Sequence, residues 1–298
     1  MKKPVVSAAM LALLLAASFS PSSYAQAPAQ GDTPTFYHLV PGTYVNGWPR
    51  FTIHYPKDWV ERHPWPSEVF RASAPGPVPY PAFIVAIPAN PYPPDKLSGF
   101  LVRFLGAKGK DVTVVTDKPV RLRDGTPAQE IEIHLVMNGA PLSTVNLATI
   151  KGDVGVTLAA ESLDAKIGED LKAILYSIEF QPGFDEPVKL PPDVQAFIDT
   201  MDNAVVSHDL EKVMSHYSDR FLGSGVRKGE VEQQWRFPIG GITSQKSVVT
   251  DFIAAGDRAY LAGFWDMKPF GRVPLRESSI IKENGEWKWY GNQIDVAP

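Results

Sequence analysis

The chain has 298 residues, with 28 Pro, 23 Gly and no Cys, 44% hydrophobic and 21% charged residues, and a net charge of -4. This is ordinary globular composition, which excludes collagen, coiled coil and wholesale disorder. The lack of cysteine excludes disulfides, thiolate metal ligands and a lipid-attachment cysteine, and the acidic balance argues against nucleic acid as a partner.

Lys2 and Lys3, the apolar run Val5 to Ala17 and the small residues Ser23 and Ala25 read as a cleaved secretory signal over 1–25. The run is short against the roughly 20 residues needed to span a bilayer, and no later stretch is longer, so the expected chain is periplasmic or secreted with no membrane span. Without the signal it carries 27 basic and 33 acidic residues, a net of -6. No run of five like charges marks a membrane-surface patch. Residues 26–35 are small and polar and read as a flexible lead-in.

A first domain is expected over 36–180. Tyr37–Asn46 and Phe51–Tyr55 are β-rich and separated by Gly47-Trp48-Pro49, and further strands fall at Val69–Ser73 and Ala82–Ile87. Eight prolines between Pro75 and Pro94 confine any strand there to an edge or to the central FIVAI. Asp95 is positioned to cap a helix striped by Leu97, Phe100, Leu101, Phe104 and Leu105, which Gly106 and Gly109 end. From Asp111 to Glu161 short alternating strands are broken by Asp124-Gly125, Asn138-Gly139 and Lys151-Gly152-Asp153, the pattern of an antiparallel meander. Asp164 starts a closing helix with Ile167, Leu171, Ile174, Leu175 and Ile178 on one stripe.

Residues 181–192 hold four prolines and read as a stiff linker. A second domain over 193–298 opens with two helices, one striped by Val194, Phe197, Ile198, Met201 and Val205, the next capped by Asp209 and carrying Leu210, Val213, Met214 and Tyr217. A third helix is expected over Lys228–Trp235. Four strands follow, at Thr243–Ile253, Arg258–Met267, Val273–Lys282 and Glu286–Ile294.

In the first half, RFTIHYPKDW (Arg50–Trp59) and the strand, helix, meander and closing-helix order ending in ILYSIEF resemble the PsbP-like family. The resemblance implies a docking or assembly role with no catalytic residue. The second half resembles the SnoaL-like, nuclear-transport-factor-two-like superfamily, in SHDLEKVMSHYSDRF (Ser207–Phe221) and GEWKWYGNQ (Gly285–Gln293). That implies a curved antiparallel sheet wrapped on helices to form a cone with a small-ligand cavity, in a superfamily of isomerases, cyclases and dehydratases beside many pure binding domains. The fold class is therefore α+β in two domains: an antiparallel sheet flanked by helices, then the cone.

In such a cavity a desolvated carboxylate serves as base. Asp266 is the sequence candidate, since on AYLAGFWDMK it shares a face with Tyr260, Ala262 and Phe264. Tyr217 is the candidate hydrogen-bond donor, and Trp235, Trp287 and Trp289 complete an aromatic pocket wall. The rival reading makes all of these packing residues, with Asp266 solvated beside Lys268. His208 and His216 are spaced for no metal motif, Asp209 has a sufficient role as a cap, and no nucleophile elbow or phosphate loop occurs, so no cofactor or metal is implied. The chain reads as a binding protein for a small apolar ligand or a protein partner, with a homodimer through the C-terminal domain as a further expectation. The catalytic alternative is an isomerase, cyclase or hydratase.

Overall fold

A computed structural model describes residues 42–62, 68–87, 93–223, 226–275 and 279–291. The expected signal, lead-in and first half of the first strand lie outside them, as does the end of the last strand.

The N-terminal half is built on a seven-stranded sheet in the order β3-β4-β5-β9-β8-β7-β6. Its strands are β3 (Val60–Glu61), β4 (Phe70–Ser73), β5 (Ala82–Ala86), β6 (Lys110–Arg121), β7 (Pro127–Met137), β8 (Ala140–Lys151) and β9 (Val154–Ser162). All neighbours are antiparallel, and β6 to β9 form the expected meander. The proline-free FIVAI segment supplies β5, which bonds to strands on both sides. Helix α1 (Leu97–Gly106) packs on one face over Ile131, Ile133 and Leu135 of β7. The other face is covered by helix α2 (Glu169–Tyr176) and by a small sheet of β1 (Thr43–Asn46), β2 (Phe51–His54) and β10 (Glu179–Phe180).

Two helix starts differ from expectation. Asp95 lies inside a 3-10 turn, Pro94–Lys96, and α1 begins after it with no side-chain cap. Asp164 sits five residues before α2, where its carboxylate accepts from Ser162 Oγ at 3.0 Å and its carbonyl from Ser143 Oγ at 2.7 Å, so it shapes the approach loop. Ile167 and Ile178 lie just outside α2 and remain in its apolar stripe, fully buried.

α2 is fastened by charge as well as by Leu171, Ile174 and Leu175. Alternation places Glu130, Glu132 and His134 of β7 on the α2 side of the sheet. Tyr176 Oη donates to Glu130 Oε2 at 2.5 Å, Lys118 Nζ lies 3.1 Å from Glu130 Oε1, and Lys172 Nζ lies 3.1 Å from Glu132 Oε2. Burial alone would push the Glu130 carboxyl up, but the Tyr176 hydroxyl and the Lys118 ammonium outweigh it and hold the group below the usual carboxylate range.

The C-terminal half opens with α3 (Pro192–Val206) and α4 (Leu210–Ser215), the latter capped by Asp209, whose carboxylate accepts from Lys212 N at 2.9 Å. Then come β11 (Tyr217–Gly223), β12 (Val226–Arg227), α5 (Lys228–Arg236), β13 (Ser244–Ala255), β14 (Arg258–Lys268), β15 (Gly271–Pro274), β16 (Ser279–Glu283) and β17 (Glu286–Gly291). They form one sheet in the order β12-β11-β17-β16-β14-β13, with β15 paired to the end of β14. The expected strand Val273–Lys282 is thus two strands, which pair with different ends of β14 on either side of Gly263. A Cβ at Gly263 would lie 2.0 Å from the Val248 carbonyl oxygen, so only glycine permits this approach of β13. Tyr217, expected on a helix, opens β11 and pairs in parallel with Trp289 of β17.

The two halves meet at β14. Trp48, in the β1–β2 turn, packs on Phe264 in a tilted arrangement with ring centroids 4.4 Å apart, and its Nε1 donates to Asp185 at 3.2 Å. A Cβ on Gly47 would lie 2.8 Å from both Ala262 Cβ and Tyr260 Oη, so the turn lies flat on the strand. Arg50 pairs with Asp251 at 3.4 Å, and Arg272 reaches both Asp153 (3.2 Å) and Asp185 (3.0 Å) while covering the Phe264 ring.

Two outcomes follow from this packing. Trp48→Ala removes a 3% exposed indole from between the halves and should cost about 3 to 5 kcal/mol in a denaturant titration. Because the Glu130 carboxyl is lower in the folded than in the unfolded chain, its contribution is complete above the unfolded value near 4.3 and is lost as pH falls through the folded value. Unfolding midpoints measured downward from neutral pH should therefore fall more steeply for the native protein than for Glu130→Gln.

Candidate functional site

β14 divides the residues singled out from the sequence between two environments. Ala259, Leu261, Trp265 and Met267 point toward α3–α5 and belong to the C-terminal core, while Phe264 belongs to the N-terminal core. Tyr260, Phe264 and Asp266 do share a face, as the alternation implies, but it is the face on which Trp48 rests and not the one the helices cover. Tyr260 and Phe264 are 7% and 4% exposed because the N-terminal half lies over them. Asp266 lies beyond that contact, exposed, opposite Lys246 on one neighbouring strand and Arg272 on the other. The structure therefore keeps Asp266 apart from Tyr217.

Tyr217, Trp235 and Trp289 do come together, on the helix-facing side. Trp235 Nε1 donates to Tyr217 Oη at 3.2 Å, Trp235 meets Trp265 edge-on at 5.9 Å, and Trp289 packs on Phe197 of α3 at 5.1 Å. All five aromatic side chains are at most 8% exposed. Trp287 stands at the rim, where its Nε1 donates to Asp193 Oδ2 at 2.8 Å beside Lys282, tying the β16–β17 hairpin to the first turn of α3.

The carboxylate that faces this interior is Asp202 of α3. Its oxygens accept from Ser247 N (2.6 Å), Ser247 Oγ (2.6 Å) and Gln245 Nε2 (2.9 Å). Burial pushes its carboxyl up, the bonds from Ser247 and Gln245 only partly oppose this, and Asp199 adds to it. Ser247 is the register partner of Trp265, and Gln245 is the partner of Met267, so the Asp202 cluster borders the indole directly. Within it, two buried polar atoms have no partner among the described residues: the donor Trp265 Nε1 and the acceptor Gln245 Oε1. Trp289 Nε1 is a third such atom in the same core. Buried polar groups are nearly always paired, and an unmade bond costs about 1 to 3 kcal/mol, so three unanswered atoms in one core mark it chemically.

Sequence reasoning missed Asp202, although a signal was present: it falls four residues after Ile198 and directly follows Met201, at the flank of the apolar stripe. It also missed a charged group on the α1 side of the N-terminal sheet. There Arg71 makes a bidentate pair with Glu68 (2.7 and 3.0 Å) and lies 3.7 Å from Glu161. Burial and the nearby Glu68 push Glu161 up against the pull of Arg71. Among the described residues no group of three or more His, Asp or Glu side chains is placed to hold a metal ion.

No protein-family model matches the chain, and no curated protein matches it. Among solved structures, cyanobacterial PsbP (CyanoP) from Synechocystis sp. PCC 6803 is similar at 11% identity, covering 47% of this chain and 91% of its own, with a TM-score of 0.39. A crystal structure from Bacteroides thetaiotaomicron VPI-5482 is similar at 12% identity over 83% of this chain and 88% of its own, with a TM-score of 0.34.

The two aspartates should behave oppositely. Asp202→Ala strands three donors and should lower stability by about 2 to 3 kcal/mol. Asp266→Asn, on an exposed position, should stay within about 0.5 kcal/mol of the native protein in the same denaturant titration.

Proposed function

We propose that the chain is an exported two-module binding or assembly protein, a PsbP-like docking module followed by a ligand-binding or partner-binding cone of the SnoaL-like kind, and that it works without catalysis. The observation that supports the ligand half is the unanswered pair beside Asp202, Trp265 Nε1 as donor and Gln245 Oε1 as acceptor. Strand pairing makes these two residues diagonal neighbours on one face, close enough for one small polar group to meet both. A small, mainly apolar molecule with a single hydroxyl or primary amide matches that demand, since such a group donates and accepts at once.

The non-catalytic reading is supported by the separation of Asp266 from Tyr217 across β14, because a base and a donor must reach the same substrate. Were the module an isomerase, cyclase or hydratase, Asp202 would be the carboxylate beside the substrate. Docking for the first module rests on its resemblance at Arg50–Trp59 and agrees with the way that half already grips the second through Trp48.

Native mass spectrometry of gently purified protein tests the reading. A stoichiometric small-molecule adduct is expected, lost in Trp265→Phe, which keeps the ring and removes the donor, and retained in Asp266→Asn. An adduct that survives Trp265→Phe, or none at all, removes the ligand half. The same spectra count subunits, and a monomer removes the expected homodimer.

A further inference from the structure

We propose that Asp202 sets the specificity of the C-terminal core by fixing which end of the Gln245 amide is left for the occupant, and that it thereby selects an alcohol over the corresponding ketone. This rests on the ligand reading given under the proposed function and adds to it a positioning residue and a competitor that is refused. A carboxylate has no proton to give, so its neighbours must turn donors toward it. Oδ2 of Asp202 accepts from the Ser247 backbone N–H, while Oδ1 accepts from Ser247 Oγ and from Gln245 Nε2. A glutamine amide has a donating and an accepting end of nearly the same shape. With its nitrogen held at 2.9 Å by Asp202, its oxygen is the free end, and Oε1 is the atom found buried without a partner among the described residues, as is Trp265 Nε1.

The occupant therefore meets one donor and one acceptor. A hydroxyl answers both, whereas a ketone oxygen answers the indole and leaves Gln245 Oε1 with an unmade bond, so the ketone is penalised by about tenfold in affinity. The backbone makes this arrangement one-way. The Ser247 N–H cannot turn, so any side chain at position 202 must keep an acceptor where Oδ2 stands. In Asp202→Asn the amide oxygen takes that place, which puts the new nitrogen at the Oδ1 position, facing Gln245. Ser247 Oγ can accept as readily as donate, but two amide nitrogens cannot bond, so Gln245 must rotate its amide and present Nε2 to the occupant. The core then offers two donors. A ketone oxygen meets both with its two lone pairs, while a hydroxyl does so only by leaving its own proton unanswered.

The test is a nuclear magnetic resonance titration of the native protein and Asp202→Asn at neutral pH with cyclohexanol and with cyclohexanone. It follows the Trp265 indole N–H signal, identified by its absence in Trp265→Phe. The native protein should prefer cyclohexanol by about tenfold, and the variant cyclohexanone by about the same factor. Before any probe is added, the Gln245 amide protons should show Overhauser contacts to Ser247 in the native protein and to the Trp265 indole proton in the variant. A preference for cyclohexanol that survives Asp202→Asn, or amide protons that stay beside Ser247, overturns the proposal. If neither probe moves the indole signal while the amide turns as expected, Asp202 still orients Gln245 and the ligand reading is what fails. Should circular dichroism show Asp202→Asn unfolded, Gln245→Met removes the acceptor at similar size. The preference should then fall to near unity, and a preference retained there overturns the proposal.

Discussion

β14 is a single strand that serves two cores. Phe264 and Trp265 are adjacent in sequence and point in opposite directions, one into the N-terminal half against Trp48, the other into the C-terminal half against Trp235. Strand geometry makes this unavoidable, since neighbouring side chains must take opposite faces. The buried lining of the C-terminal half and the seam between the halves therefore share one backbone. Gly263 sets the path of that strand, because β13 crosses it so closely that no side chain fits, and the strand's pairing partner changes from β16 to β15 on either side of that point. Phe264, one residue from the Trp265 indole, is the residue on which Trp48 packs.

Much of this was legible in the sequence, and the failures have physical causes. Periodicity located the helices and the meander, but it put Tyr217 on a helix, whereas the residue opens β11. Alternation correctly put Tyr260, Phe264 and Asp266 on one face, but it cannot say which face the helices cover. That depends on the N-terminal half, whose Gly47-Trp48 turn occupies the other side. The same blindness hid the α2 clamp. On β7, Ile131, Ile133 and Leu135 alternate with Glu130, Glu132 and His134, the usual sign of a strand with one wet face, yet α2 lies on the polar side and leaves Glu130 only 3% exposed. Asp95 and Asp164 failed as caps for a local reason: each had competing work, in a 3-10 turn and in a hydroxyl-bonded loop, that a residue pattern does not weigh against capping.

Polar groups inside this protein fall into two sorts. Glu68 with Arg71, Glu130 Oε2 with Tyr176, and Glu132 with Lys172 are matched, and removing one partner of such a pair would leave an uncompensated buried group. The Asp202 cluster is different, because it satisfies its carboxylate and leaves a donor and an acceptor over. Such remainders are uncommon, because buried polar groups are nearly always paired.

The stretch between the halves is pinned along its length. Gln181 N donates to the Arg50 carbonyl, Phe184 packs on the first core, Asp185 holds Trp48 and Arg272, Val188 N donates to the Val249 carbonyl on β13, and Leu190 packs on the second core. A segment so attached is no tether. It acts as mortar between two bricks, and a protease cutting it would leave two polypeptides still sharing one body. The molecule therefore joins its two cores through contacts along the whole connecting segment and not through its ends alone.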